Sequence, residues 1–215
     1  AEIAHRHGAL VHVDAVQAAG KIPISMSALG ADFLTISGHK FHAPKGIGAM
    51  AMRRGLSLEP LWLGGGQELG LRSGTEPVPS IVGMEVAARL AREALPSFPR
   101  VGDLRDRFES AILGSLEETS VNGHSQTRLD NTSSIAFHDL AADAIVLALD
   151  AGGLCASAGA ACHSGRAEPT GTMKAMDKPL RVAMGTVRFS LSRFTTEAEI
   201  DAAIGIVRNV VGRMR

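Results

Sequence analysis

Short apolar runs separated by glycine-rich turns fill the first part of the chain, and longer three- and four-residue periodicities take over later. Leu10-Val11-His12-Val13 ends in Asp14. Phe33-Leu34-Thr35-Ile36 leads into Ser37-Gly38-His39-Lys40, and Gly48-Ala49-Met50-Ala51-Met52 follows. Each has the length and composition of a short strand. Gly64-Gly65-Gly66 opens a loop that runs through Arg72-Ser73-Gly74-Thr75. Pro77 and Pro79 then mark a helix start, because proline fits the first turn and is resisted further in. Along that helix Ile81, Met84, Ala88, Ala91 and Leu95 recur at helical spacing and predict one buried stripe. Pro96 and Pro99 end it. A domain boundary is placed there, with residues 1–96 in one domain and 97–215 in another.

The second part has a different rhythm. A helix from about Val101 to Leu116 leads into the polar stretch Asn122-Gly123-His124-Ser125. Ser133-Ser134-Ile135-Ala136-Phe137 predicts a strand, followed by a helix over Ala141 to Leu149 that Gly152-Gly153 stops. Leu154 to Ser157 returns as a short strand. Between Gly159 and Pro179 no periodicity appears, so the segment is expected to be a long functional loop. Val187-Arg188-Phe189-Ser190-Leu191 is the last strand. Thr196 and Glu199 spell a capping box for a final helix whose buried face is Ile200, Ala203, Ile204, Val207, Val211 and Met214.

Composition narrows the function classes. At 215 residues the chain is long enough to bury a sizeable core, and 45% of its residues are hydrophobic. Lys and Arg number 22, as do Asp and Glu, so charge gives no case for nucleic acid or an anionic membrane as partner. No apolar run approaches the roughly 20 residues needed to span a bilayer. The opening Ala1-Glu2-Ile3-Ala4 lacks a methionine and resembles the tail of a helix already under way, so a fragment of a longer protein is expected. Cys155 and Cys162 are too few for a disulfide scaffold and point to a reducing compartment, the cytoplasm.

The chemistry concentrates at strand ends. Lys40 follows the run ending at Ile36, and Asp14 ends the run before it, at the sheet edge where open α/β folds bind ligands. A lysine amine beside a carboxylate is what pyridoxal 5'-phosphate (PLP) requires. The amine forms a Schiff base, and the carboxylate keeps the pyridine nitrogen protonated so that the ring accepts electrons. Cys162 lies among small residues, Ala158-Gly159-Ala160-Ala161-Cys162-His163-Ser164-Gly165, which offer little to bury it against and favour a reactive thiol. Cys155 sits among apolar residues and is expected to pack within a strand. Cys155, Cys162 and His163 are spaced too widely for the usual paired zinc ligands, and no metal is expected.

Five segments then occur in order: Val13-Asp14-Ala15-Val16-Gln17, Ser37-Gly38-His39-Lys40, Arg72-Ser73-Gly74-Thr75, Ala161-Cys162-His163-Ser164, and Arg188-Phe189-Ser190-Leu191-Ser192-Arg193-Phe194-Thr195-Thr196. Together they resemble the PLP-dependent cysteine desulfurases of the class V aminotransferase group and the similar selenocysteine lyases. The likeness covers only the later portion of such enzymes. It implies an α/β fold of the PLP-dependent transferase type (fold type I): residues 1–96 are the rear of a large domain with a mostly parallel sheet, and 97–215 a smaller α+β domain. It also implies that Lys40 holds PLP and shuttles protons, Asp14 pairs with the ring nitrogen, and Gln17 bonds the ring hydroxyl. Ser37 and His39 would contact the phosphate, Thr75 the phosphate held by the other subunit of a homodimer, and Arg188 the substrate carboxylate. Cys162 would take sulfur from L-cysteine as a persulfide and pass it to an acceptor such as an iron–sulfur scaffold protein, leaving alanine. L-Selenocysteine is the alternative substrate, since the alanine-rich sequence before Cys162 and the histidine after it also resemble the lyases. A non-catalytic fragment or interaction module is the alternative from another class.

Overall fold

The computed structural model describes residues 1–158 and 169–215, which divide into two compact units, Ala1–Pro96 and Ser97–Arg215. The first unit begins with α1 (Glu2–Arg6), β1 (His12–Asp14), α2 (Met26–Leu29) and β2 (Phe33–Ser37). A 3-10 turn over Gly38–Phe41, β3 (Gly48–Met52) and α3 (Val78–Ala94) complete it. The sheet order is β1-β2-β3, with β1 parallel to β2 and β3 antiparallel to β2. The pairing of β3 suits its connection: the turn over Gly38–Phe41 and the few residues after it reverse the chain so that Ser37 pairs with Gly48, with no helical crossover between them. Its core is small: Ala19, Phe41, Ala43, Ala87 and Ala91, with Ile24, Ile36, Ile47 and Met84 packed around them.

Asp32 fastens this unit from inside. Its fully buried carboxylate accepts hydrogen bonds from the Val11 N–H at 2.8 Å and Arg53 Nε at 2.7 Å, and bonds His5 Nε2 at 2.8 Å. Those bonds, the Val11 N–H first, hold its pKa down at about 2.

The stripe expected on α3 holds in part: Met84 and Ala91 face the core, but Ile81 and Ala88 do not, and Ala87 takes their place. Ala87 and Ala91 are buried, whereas Ile81 is 40% exposed and Ala88 is exposed too. The small alanines let α3 lie close to the Phe41 turn, and the bulkier Val78, Val82, Val86 and Leu90 are left outside. The helix ends at Ala94, and Pro99 starts the next one instead of ending this one, as proline's fixed φ suits a first turn.

The second unit runs α4 (Pro99–Leu113), β4 (Thr119–Val121), β5 (Thr132–Phe137), α5 (Ala142–Ala151) and β6 (Ser157–Ala158). After the undescribed residues come α6 (Gly171–Ala175), α7 (Leu180–Ala183), β7 (Thr186–Ser190) and α8 (Glu197–Met214). The four strands pair antiparallel in the order β4-β5-β7-β6. One sheet face, carrying Ile135, Phe137, Val187 and Phe189, packs against Phe108 and Ile112 of α4, Ile145 and Leu149 of α5, and Val207 and Val211 of α8. Phe108 and Phe189 meet with ring centroids 4.9 Å apart. The final helix follows its predicted face, with Ile200, Ala203, Ile204, Val207 and Val211 buried and Met214 partly so. Its capping box is complete: the Thr196 hydroxyl accepts the Glu199 N–H, and the Glu199 carboxylate accepts the Thr196 N–H.

Three sequence expectations change here. The strand expected over Leu154 to Ser157 lies later, with Ser157–Ala158 as its described residues. The segment 171–175, expected as loop, is helical because the Thr170 hydroxyl caps it by accepting the Met173 N–H. Cys155 is exposed and free, not packed in a strand, since it precedes β6 and pairs with no strand among the described residues.

Candidate active site

Parallel pairing brings the carboxyl ends of β1 and β2 side by side. Asp14 is the last residue of β1 and lies in register with Thr35, two residues before the end of β2 at Ser37. Lys40 follows on the 3-10 turn and is exposed. Gly38 is what allows that turn. A Cβ there would stand 2.9 Å from Ala43 Cβ and 3.0 Å from an Ile47 methyl, so any side chain would push the lysine turn off the sheet. Buried Phe41 anchors the far end of the turn.

The turn leaving β1 is fixed equally closely. Asp14 Oδ1 accepts the Val16 N–H at 2.9 Å, a local bond that sets the direction in which the chain leaves the strand. Ala18 and Ala19 donate their N–H groups to the Ala15 carbonyl, which makes one helical turn and exposes Gln17. Gly20 closes it with φ +75, and a Cβ there would come 2.9 Å from Phe41 Cβ. The turns carrying Asp14, Gln17 and Lys40 therefore share one hydrophobic anchor.

Ser37 Oγ and His39 Nδ1 are hydrogen-bonded at 2.9 Å beside Lys40. Thr75 is exposed in the loop before α3. Near it the Gly74 N–H donates to Gln67 Oε1 at 3.3 Å, and Ser73 Oγ donates to the Leu63 carbonyl at 3.2 Å. Asp14, Gln17, Ser37, His39, Lys40 and Thr75 thus all belong to the first unit. Arg188 belongs to the second, in the middle of β7, with Ser134 and Ser157 as its register partners on either side. Cys162, with His163, lies outside the described residues.

One residue near the lysine escaped sequence reasoning. Lys21 is half-buried, and its Nζ donates to the Gln17 carbonyl at 2.6 Å, tying down the β1 exit turn. Burial, and then the Lys40 ammonium nearby, lower its amine below the ordinary lysine value. Ala18-Ala19-Gly20-Lys21 carries no motif; the one available signal was the four-residue step from Gln17 to Lys21 across a turn. No helix of the described residues is long and apolar enough to cross a membrane.

Comparison with known proteins adds to this geometry. Residues 1–203 match the aminotransferase class-V family. The chain is 48% identical over 97% of its length to cysteine desulfurase 2 of Trichormus variabilis, and 46% identical over its whole length to a cysteine desulfurase of Klebsiella pneumoniae. It covers 52% and 54% of those two proteins, so it spans about half the length of the curated relatives it matches. Among solved structures, a NifS-like protein from Rickettsia africae superposes with a TM-score of 0.88 at 30% identity, over 97% of this chain and 55% of that one.

Proposed function

Since the chain belongs to the aminotransferase class-V family, we propose that it carries the catalytic lysine and cysteine of a PLP-dependent cysteine desulfurase. The observation that supports this most directly is Lys40 and Asp14 at the adjoining ends of two parallel strands. The side chains present suit PLP: a primary amine for its aldehyde, a carboxylate for its ring nitrogen, an amide for its ring hydroxyl, and a hydroxyl–imidazole pair for its phosphate. When bound, the cofactor supplies the electron sink for negative charge at the substrate Cα.

Each of the chain's residues then has a defined task. Lys40 holds the cofactor and moves the Cα proton, and Asp14 keeps the ring nitrogen charged. Gln17 fixes the orientation of the ring, with Lys21 bracing its turn. Ser37 and His39 bind the phosphate. Thr75 reaches the phosphate of a second copy in a homodimer. Arg188 grips the carboxylate of L-cysteine, for which its planar fork is suited. Cys162, as thiolate, attacks the substrate sulfur; the carbon–sulfur bond breaks with its electron pair going to the substrate carbon, which takes up a proton and leaves as alanine, while a persulfide remains on Cys162. A sulfur-acceptor protein such as an iron–sulfur scaffold receives the persulfide sulfur, in the reducing setting of the cytoplasm. The names of the relatives favour L-cysteine over L-selenocysteine.

The test is to supply the protein with PLP, L-cysteine and dithiothreitol, the dithiol that reduces the Cys162 persulfide and releases its outer sulfur as sulfide, and to measure alanine and sulfide together. Equal amounts of both are expected. Lys40→Ala should abolish the visible absorption of bound cofactor, and Cys162→Ala should stop sulfur release while leaving that absorption in place. An unchanged band in the first variant, or unchanged sulfide in the second, overturns the respective assignment.

A further inference from the structure

A row of polar side chains crosses the sheet of the second unit. Ser134 of β5 is in register with Arg188 of β7, and Arg188 with Ser157 of β6. Asn122, the residue after β4, extends the row by donating its N–H to the Ser134 carbonyl at 2.8 Å. Residues directly opposite one another share a face, so Ser134, Arg188 and Ser157 stand together on the side away from Ile135, Val187 and Phe189.

Two atoms of this row are buried without a hydrogen-bond partner among the described residues: Arg188 Nε and Asn122 Oδ1. Asn122 is only 5% exposed. An arginine N–H buried without an acceptor is unfavourable. Among the described residues the four strands contribute no carboxylate, for their sequences are TSV, TSSIAF, SA and TVRFS. One end of the face is closed: the Thr186 hydroxyl donates to the Val182 carbonyl at 2.9 Å and accepts from Asn122 Nδ2, beside buried Met173 and Val182. Ser134 and Arg188, by contrast, are only half-buried.

We infer that Ser134 is a further substrate-binding residue, its hydroxyl donating to the same carboxylate that Arg188 holds. The geometry suits this role, because cross-strand partners stand with Cβ atoms about 5 Å apart, close enough for both groups to reach one small anion. A guanidinium fork occupies one side of a carboxylate and leaves a lone pair for a neighbouring hydroxyl. The inference rests on the proposed amino-acid substrate, and it names a residue that the five sequence motifs do not include.

The experiment titrates L-alanine into uniformly 15N-labelled, cofactor-free protein and follows the Arg188 Nε–H resonance, assigned by its loss in Arg188→Lys. A saturable shift is expected, which sodium chloride at equal ionic strength does not reproduce. Ser134→Ala should weaken binding about five- to tenfold, the loss of one hydrogen bond to a charged group at a half-exposed site. Its melting temperature should stay within about 2 °C of the parent, as for most substitutions outside a packed core. Ser134→Thr, which keeps the hydroxyl, should restore the affinity. In turnover the same factor should appear in KM for L-cysteine with kcat unchanged, the signature of lost ground-state binding. A motionless Nε–H resonance, or equal affinity in Ser134→Ala, overturns the inference. The titration requires neither cofactor nor turnover, so failure of the desulfurase reading shows up separately, as absent alanine and sulfide.

Discussion

Replacing Gly185 with alanine puts a methyl group where the chain has no room for one. An added Cβ would stand 1.9 Å from the Phe137 carbonyl oxygen, 2.8 Å from the carbonyl carbon and 3.0 Å from the Leu140 carbonyl oxygen. All three are backbone atoms, so none can swing away. Relieving the contact requires the start of β7 to part from the end of β5 by roughly 1 Å, the gap between 1.9 Å and the 3.0 Å that real Cβ contacts respect. That movement opens the hydrogen bond from the Phe137 N–H to the Gly185 carbonyl, now 2.9 Å, beside a Phe137 that is fully buried. Overpacking costs about 1–3 kcal/mol and a stranded buried N–H about 1–3 kcal/mol more, so a loss of about 2–6 kcal/mol is expected. Gly185 does not have a positive φ, which leaves space, not backbone strain, as the cause. Urea unfolding followed by circular dichroism reads this directly. At a slope of about 2 kcal/mol per molar, the midpoint should fall by about 1–3 M with the slope unchanged. Gly205→Ala supplies the opposite sign, because nothing lies within 4 Å of its Cβ position on α8 and alanine favours a helix interior by roughly 0.5–1 kcal/mol. A Gly185→Ala midpoint within about 0.3 M of the parent would refute the steric reasoning.

Ser133 is fully buried on the core face opposite Phe189, and its hydroxyl has no partner among the described residues. Ser133→Ala should therefore leave stability unchanged or raise it by up to about 1 kcal/mol in the same urea assay; a clear loss would reveal a hidden hydrogen bond. Asp32 sets the acid response of the first unit. Its folded pKa of about 2 lies below the unfolded carboxylate value, so its stabilisation is fully present above about pH 4 and fades as pH falls towards 2. In a series of unfolding curves from pH 6 to pH 2, Asp32→Asn should start less stable and lose less on acidification. A parallel decline in both proteins would count against the assignment.

Much of the second unit was legible because its apolar positions fall on single faces. The α8 stripe and the Thr196–Glu199 cap are local patterns, so burial and capping follow from spacing alone. On α3 the same logic placed Met84 and Ala91 on the core side but put Ile81 and Ala88 there too, because apolar residues cover much of the helix beside its charged strip. Periodicity cannot rank Val82 against Ala87 when small size, not hydrophobicity, decides which side approaches Phe41. The positions of Lys40 and Asp14 could be anticipated, since a strand followed by a polar turn is a short-range signal. Arg188 carried a signal too, a charged residue flanked by buried Val187 and Phe189, which marks a strand interior facing away from the core. Asp32 gave no such sign. Its partners His5, Val11 and Arg53 come from distant points of the sequence, and no local pattern encodes them.

That same buried carboxylate has a consequence for how the first unit breathes. The chain around residues 5, 11 and 53 meets on one pair of oxygen atoms, so loosening any one stretch strands a negative charge that the other two must then carry. Loosening of α1 is thereby coupled to the strand that positions Asp14. In deuterium exchange the amides of these three stretches should open as one cooperative block instead of each at its own rate.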